Sequence, residues 1–403
     1  MPDVSIILPT YNRADTIPRA IESVRDQTFA DWELIIVDDG STDGTAERIN
    51  KLDPRIRILR QENQGCYVAR NSGIAAAKGR FIAFLDSDDE WLPHFLEIAM
   101  AFFEWSPSDY FLTTEFLERV GPETFIRHDH YNVSTEFPRV ARAVGSRMLD
   151  LPSGETDDYL RVYSTRERLG AWGRAIAERA GHPNAALYRG RIFEKMRWGY
   201  LNWLPITVLR REAIDTVGLF PSHYRTAADF RFLAQLCRHF QANMITLPSA
   251  IKHRDAPGDK ALAQDHLATG PNEYRYARAK LALFDDMFWN ERRGDKELSA
   301  IRAFRLLYAG RTALKWGELE AARMHLRDTC AAAPHLWRAR LLRLWVEMVP
   351  ASRVASAAYR WALRLGNMRG FLRARKASAG ACLGRVVERI RKRAPEVAKN
   401  RQH

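Results

Sequence analysis

The chain has 403 residues, 46% hydrophobic and 28% charged, the balance of an ordinary soluble protein with room for two or three domains. Its net charge of +13 sits at one end: residues 351–403 carry 14 Lys and Arg against Glu388 and Glu396, a net of +12, and the rest is close to neutral. A near-neutral body argues against nucleic-acid binding, and no apolar run approaches the roughly 18 residues that a membrane span needs. Cys66, Cys237, Cys330 and Cys382 are far apart with no C-x-x-C, which fits a reduced compartment and neither a disulfide frame nor a zinc site. Met1-Pro-Asp-Val4 leads straight into a strand, leaving no room for a signal peptide, so a cytoplasmic location is expected.

Taken in order, Val4-Ser-Ile-Ile-Leu8 is a short apolar strand ended by Pro9-Thr-Tyr-Asn12. Ile17, Ala20, Ile21 and Val24 recur at helical spacing. Glu33–Val37 is a second strand broken by Asp38-Asp39-Gly-Ser-Thr-Asp43, and a helix over Thr45–Lys51 leads to a third strand, Ile56–Leu59. After Asn63-Gln-Gly65 a helix through Val68–Ala77 precedes a fourth strand, Phe81-Ile-Ala-Phe-Leu85, with another helix starting near Trp91-Leu-Pro. Strand and helix alternating at this pace predict a doubly wound α/β sheet.

The fourth strand runs directly into Asp86-Ser-Asp-Asp-Glu90, four acids in five positions. In open α/β sheets ligands bind beyond the carboxyl ends of the strands. Carboxylates crowded there repel unless a cation lies between them, and hard ions such as Mg²⁺ and Mn²⁺ take one or two carboxylates and complete their shell with water and phosphate. Asp86 and Asp88 are therefore read as holders of a metal that carries a diphosphate. A second strand end, Asp38/Asp39, is also doubly acidic, and no G-x-G-x-x-G or Walker lysine offers another phosphate cradle. One acidic strand end is ordinary turn chemistry; two in one small domain point to a site.

Val4-Ser-Ile-Ile-Leu-Pro-Thr-Tyr-Asn12, Gln27-Thr-Phe29, Val37-Asp-Asp-Gly-Ser-Thr-Asp43, Asn63-x-Gly65 with Ala69-Arg-Asn71, and Phe84-Leu-Asp-Ser-Asp-Asp89 together resemble a family 2 glycosyltransferase of the GT-A fold. The likeness covers about the first 115 residues, with five segments in the family's order. It implies that Tyr11, with Pro9 and Thr10, flanks the nucleotide base and that Asp39 accepts the base N3–H, hence a UDP- or dTDP-sugar donor. It further implies that Arg70 lies near the diphosphate and that Asp88, helped by Asp86, binds Mn²⁺ or Mg²⁺. The family's usual Glu-Asp pair is Ala228-Asp229 here, so Asp229 is assigned as general base and the preceding acid is missing. His253 lies near where the family places a histidine close to the diphosphate or metal, off register by about one residue.

Less is legible elsewhere. Thr113–Leu117 adds a strand, Ser164–Ala180 is loosely helical, and His128-Asp-His130 lacks a third ligand nearby. Tyr200–Leu209 reads as an extended run and Arg210–Phe220 as a helix closed by Gly218. Beyond about Gly270 the pattern turns helical, and Gly310, Gly317-Glu-Leu-Glu-Ala-Ala322, Leu326 and Pro334 match the spacing of one tetratricopeptide helix pair. The arginine-rich amphipathic tail suits either docking on an anionic inner leaflet or plain solvation. The expected organisation is a GT-A catalytic domain, residues 1–115 for the donor and 116–268 for the acceptor with a variable insertion at 118–198, then a helical region at 269–349 and a basic tail at 350–403. The activity implied is metal-dependent inverting transfer to a glycan or lipid-linked hydroxyl in surface polysaccharide synthesis. The alternatives are a degenerate transferase serving as a membrane-side scaffold and a nucleotidyltransferase, the latter disfavoured by the absence of a glycine-rich first loop.

Overall fold

The computed structural model describes residues 1–49, 53–119, 125–128, 138, 141–142, 145–199, 201–224, 226–253 and 272–348. The basic tail and Asp129-His130 lie outside the described residues, as do 254–271. The chain divides into two compact units, Met1–Arg305 and Leu306–His403.

The first unit opens with β1 (Val4–Thr10), α1 (Ile17–Arg25), β2 (Trp32–Asp38), α2 (Thr45–Arg48), β3 (Ile56–Arg60), α3 (Cys66–Ala76) and β4 (Phe81–Phe84). It continues with β5 (Glu90–Trp91), α4 (Phe95–Trp105), β6 (Phe111–Arg119), β7 (Phe125–His128), β8 (Thr165–Arg168), α5 (Ala171–Arg179) and β9 (Ala186–Gly190). Last come β10 (Thr207–Arg210), α6 (Ala213–Val217), α7 (Ala228–His239), β11 (Ala242–His253) and α8 (Glu273–Phe284). The described strands form one mixed sheet in the order β3-β2-β1-β4-β10-β6-β11-β9-β8, with β5 on β11 and β7 on β6. β3, β2, β1 and β4 are parallel, and β10 is antiparallel to both β4 and β6.

The alternation of side chains explains why both faces are covered. Ile7, Ile35, Val37, Ile82 and Phe84 join a core roofed by Tyr67, Ala69 and Ile74 of α3 and by Phe230, Leu233 and Cys237 of α7. Val4, Ile6, Leu8, Leu34, Ile36 and Ala83 point the other way, onto Ile17, Ile21 and Val24 of α1 and Phe95, Ile98 and Phe102 of α4. A strand buried on both faces reads as a continuous apolar run, which is why β1, β2 and β4 stand out in the sequence.

Gly73 lets α3 lie directly on β1. A Cβ at this position would fall 2.5 Å from Ile7 Cγ2. Gly73→Ala should therefore destabilise the protein by about 1–3 kcal/mol, the usual cost of overpacking a filled core, read as a lower urea midpoint with an unchanged slope.

Four local expectations need correction. The stretch 164–180 begins as the strand β8, paired with β9, and only Ala171–Arg179 is helical. β1 runs on through Pro9 and Thr10, which pair with Val37 and Asp38. Trp91 lies in β5, paired with Ala250, and the following helix starts at Phe95. The 200–209 run is not one strand: Leu204–Ile206 is a 3₁₀ turn and only Thr207–Arg210 is extended. Pro205 has no N–H to give a ladder, so it favours the turn.

In the second unit, the latter part of α9 (Lys296–Trp316) meets α10 (Leu319–Ala332), followed by α11 (Trp337–Met348). A Cβ on Gly310 would lie 3.1 Å from Leu326 Cγ, so the glycine permits the close helix crossing that a tetratricopeptide-like pair requires. Arg323 Nη2 reaches the Val346 carbonyl at 3.4 Å, tying α10 to α11. No helix among the described residues is long and apolar enough to cross a membrane.

Candidate active site

The start of α3 gathers the predicted residues. Gly65, in the left-handed region at φ 95°, aims its N–H at Asp39 Oδ2, 2.8 Å away. Asp39 Oδ1 also accepts from the Gln64 N–H at 3.0 Å and from Gln61 Nε2 at 2.8 Å. Asp38 instead makes a turn, accepting from the Ser41 N–H at 2.9 Å. One turn further along α3, Arg70 Nη2 meets Asp86 Oδ1 at 2.6 Å. Burial alone would weaken the Arg70 charge, but Asp86, Cys66, Tyr67 and Asp229 together outweigh it and hold the guanidinium well above its ordinary value. Tyr67 donates its hydroxyl to Asp229 Oδ1 at 3.1 Å. Asp39, Asp86 and Asp229, from three separate segments, thus meet the first two turns of α3.

The acidic turn is held at both ends, by β4 before it and by β5 on β11 after it. Burial and the Asp86 charge raise Asp88, while Arg13 and Lys252 pull it down. Asp89 is deeper and is pushed well up by burial and by Asp88 and Asp86; it accepts the His253 N–H at 3.1 Å. Arg19 Nη2 donates to the Asp88 carbonyl at 2.5 Å and steadies the turn.

His253 does not join Asp86 and Asp88 as a third ligand. Its Nε2 lies 3.0 Å from Glu90 Oε1, and among the described residues no three of His, Cys, Asp and Glu converge on a metal position. The donor set therefore does not fit an all-protein cage. It fits a Mg²⁺ or Mn²⁺ ion held by one or two carboxylates, with phosphate oxygens and water completing the shell.

Of the three expected base-flanking residues, Pro9 and Thr10 are buried in β1, whereas Tyr11 is 40% exposed. Asn12, at φ 52°, turns the chain back, accepting the Thr42 N–H at 2.9 Å and donating its own N–H to Ser41 Oγ at 3.0 Å. The loops after β1 and β2 are stitched together by these bonds. Ala227, at φ 63°, is the matching left-handed residue before Asp229. A non-glycine residue there costs about 1–2 kcal/mol, and both cases border the same site.

Ala228 is fully buried in the α7 core. A glutamate there would put a carboxylate among Phe230, Phe232 and their neighbours. The missing acid therefore leaves no polar gap; it matches the apolar packing at this position. Tyr67, Arg13 and Lys252 were not singled out from the sequence. Tyr67 reads as a packing aromatic, and the cations sit among many others.

An open mixed sheet with acidic strand ends around one helix start is of the GT-A class. Residues 5–166 match the family model described as Glycosyl transferase family 2. Two Escherichia coli proteins named UDP-Glc:alpha-D-GlcNAc-diphosphoundecaprenol beta-1,3-glucosyltransferase are similar to this region. WfgD is 47% identical over 100 residues, 24% of this chain and 40% of that protein; WfaP is 43% identical over 123 residues, 28% and 48%. The chain spans less than half the length of these relatives. The crystal structure of S. aureus TarS 1-349 in complex with UDP-GlcNAc aligns over 92% of each chain with TM-score 0.50 and 18% identity, a likeness of fold. The N-terminal region, residues 5–166, is thus similar to glycosyl transferase family 2.

Proposed function

We propose that the chain transfers a sugar from a UDP- or dTDP-sugar to a hydroxyl of a glycan or lipid-linked acceptor, in a single displacement that inverts the anomeric carbon. The observation that carries this reading is the convergence of Asp39, Asp86 and Asp229 on the first turns of α3, through Gln64 and Gly65, Arg70 and Tyr67 respectively. Asp39, fixed by Gln61, Gln64 and Gly65, is oriented to accept a base N3–H, and exposed Tyr11 offers a ring to stack on. The diphosphate is drawn to the positive end of α3 and to Arg70. Asp88, with Asp86, would hold Mn²⁺ or Mg²⁺, which when bound supplies Lewis-acid stabilisation of charge on the departing diphosphate.

Asp229 takes the proton of the acceptor hydroxyl as its oxygen bonds to the anomeric carbon. The bond from that carbon to the phosphate oxygen breaks, and its electron pair leaves with the diphosphate. Tyr67 anchors Oδ1 of Asp229 and fixes the direction of the carboxylate. The lipid-linked setting is suggested by what WfgD and WfaP are named for.

Calorimetry with UDP-, dTDP- and GDP-sugars, with and without Mn²⁺, tests the donor class. UDP- and dTDP-sugars should bind, tightened about tenfold or more by the metal, about 1.4 kcal/mol; GDP-sugars should not. Binding indifferent to manganese, or equal for guanine and uracil, would remove the reading.

A further inference from the structure

Phe220, in the loop after α6, touches both the helix that bears Arg70 and the helix that bears Asp229. Its ring lies nearly parallel to that of Tyr67 on α3, 5.9 Å away at 22°, and to that of Phe232 on α7, 4.3 Å away at 21°. Phe84, at the end of β4, meets the Phe220 and Phe232 rings edge-on at 5.5 and 6.1 Å. The Arg70 guanidinium is 5.4 Å from the Tyr67 ring centroid and 5.7 Å from that of Phe220. Phe232 follows Asp229 by one turn of α7, on the same face.

Ring contacts alone would let this loop slide over α3, because apolar packing has little directionality. Asn71 stops that. Its Nδ2 donates to the Phe220 carbonyl at 2.7 Å, and its Oδ1 accepts the Phe220 N–H at 3.0 Å. One side-chain amide thus takes both backbone groups of a residue 149 positions away. Asn71 follows Tyr67 by one turn of α3, so the clamp and the hydroxyl that holds Asp229 share a face of that helix.

We propose that Asn71 and Phe220 are positioning residues for Asp229: the amide fixes the Phe220 backbone, and the ring sets the spacing of α3 and α7 at which the Tyr67 hydroxyl reaches Asp229 Oδ1, 3.1 Å away. The inference rests on the reading of Asp229 as the base. That bond has little slack, since a contact beyond about 3.5 Å is no longer a hydrogen bond, and a shift of about 1 Å in a reacting group can cost about 10² in rate. Arg70 keeps its own tie to Asp86 at 2.6 Å. Loss of the clamp therefore falls on kcat and spares the donor.

Asn71→Ala removes both clamp bonds. Its crystal structure should place the Tyr67 oxygen more than about 3.5 Å from Asp229, with Arg70 still on Asp86. Release of UDP from UDP-glucose or UDP-N-acetylglucosamine, with water as acceptor, should fall about tenfold or more in kcat, with the donor KM within about twofold. In a Tyr67→Phe background the same substitution should cost less than about twofold, because the link it acts through is already cut. UDP binding verifies that the variants fold. Should Asn71→Ala fail to, Asn71→Asp runs the same cycle: it keeps an acceptor for the Phe220 N–H and loses the donor to the carbonyl.

An intact Tyr67–Asp229 bond in the crystal of the clamp variant overturns the proposal. So do losses that multiply in the double variant, as two unconnected defects would, or a defect confined to donor KM, which would make the clamp a brace for the donor. If Asp229→Asn loses transfer while Asn71→Ala and Tyr67→Phe keep the wild-type rate, only this inference falls. If Asp229→Asn transfers at the wild-type rate, the base assignment itself falls.

Discussion

Asp229→Asn should reduce sugar transfer by about 10²–10⁴, the usual worth of a positioned general base, while UDP-sugar affinity stays within about twofold. The reason is spatial. Asp229 meets the helix start from the α7 side and is bonded to Tyr67, whereas the proposed base and diphosphate contacts are supplied by Asp39, Arg70 and the acidic turn. Asparagine keeps the shape and the tyrosine bond but cannot take a proton. Parallel loss of kcat and kcat/KM would mark a group used only in the transition state. A variant with raised donor KM and intact kcat would instead move Asp229 to substrate binding.

Asp88→Asn should abolish the manganese-dependent part of UDP binding and lower transfer by about 10²–10³, the scale on which single stabilisers of transition-state charge act. The same variant should be more stable than wild type when no metal is present. The sign follows from the direction of the shift: burial and Asp86 raise the Asp88 carboxyl in the folded protein, so its charge opposes folding wherever it is ionised. At neutral pH, thermal unfolding in chelator should show a higher midpoint for Asp88→Asn. The difference should close as pH falls below about 3.9, the ordinary Asp value, where both states of wild type are protonated. Added Mn²⁺ should raise the wild-type midpoint alone, because a ligand stabilises only the state it binds. A midpoint that ignores metal in both proteins would remove Asp88 from metal binding.

Much of this was legible in the sequence, for a physical reason. β1, β2 and β4 are covered on both faces, so each appears as an unbroken apolar run, and the acids that follow stand out by contrast. Asp39 and Asp86 could therefore be picked out from the pattern, whereas Arg70 and Asp229 were named only through the likeness to the family's motifs; contacts of all four fall in the first turns of α3. What escaped depends on tertiary register. Tyr67 and Asp229 are 162 positions apart and meet only in the folded chain, so no local pattern announces the contact. His253 is suggested by its position along the chain, but its ring is engaged by Glu90, which belongs to the short strand β5 and not simply to an acidic turn running into a helix.

The pinning of the acidic turn between β4 and the two-residue strand β5 also constrains how such a chain can vary. A residue gained or lost between Leu85 and Glu90 would either unzip Trp91 from Ala250 or swing a carboxylate out of the cleft. An insertion or deletion engineered into this stretch should therefore cost more than one placed in a loop that no strand holds at both ends.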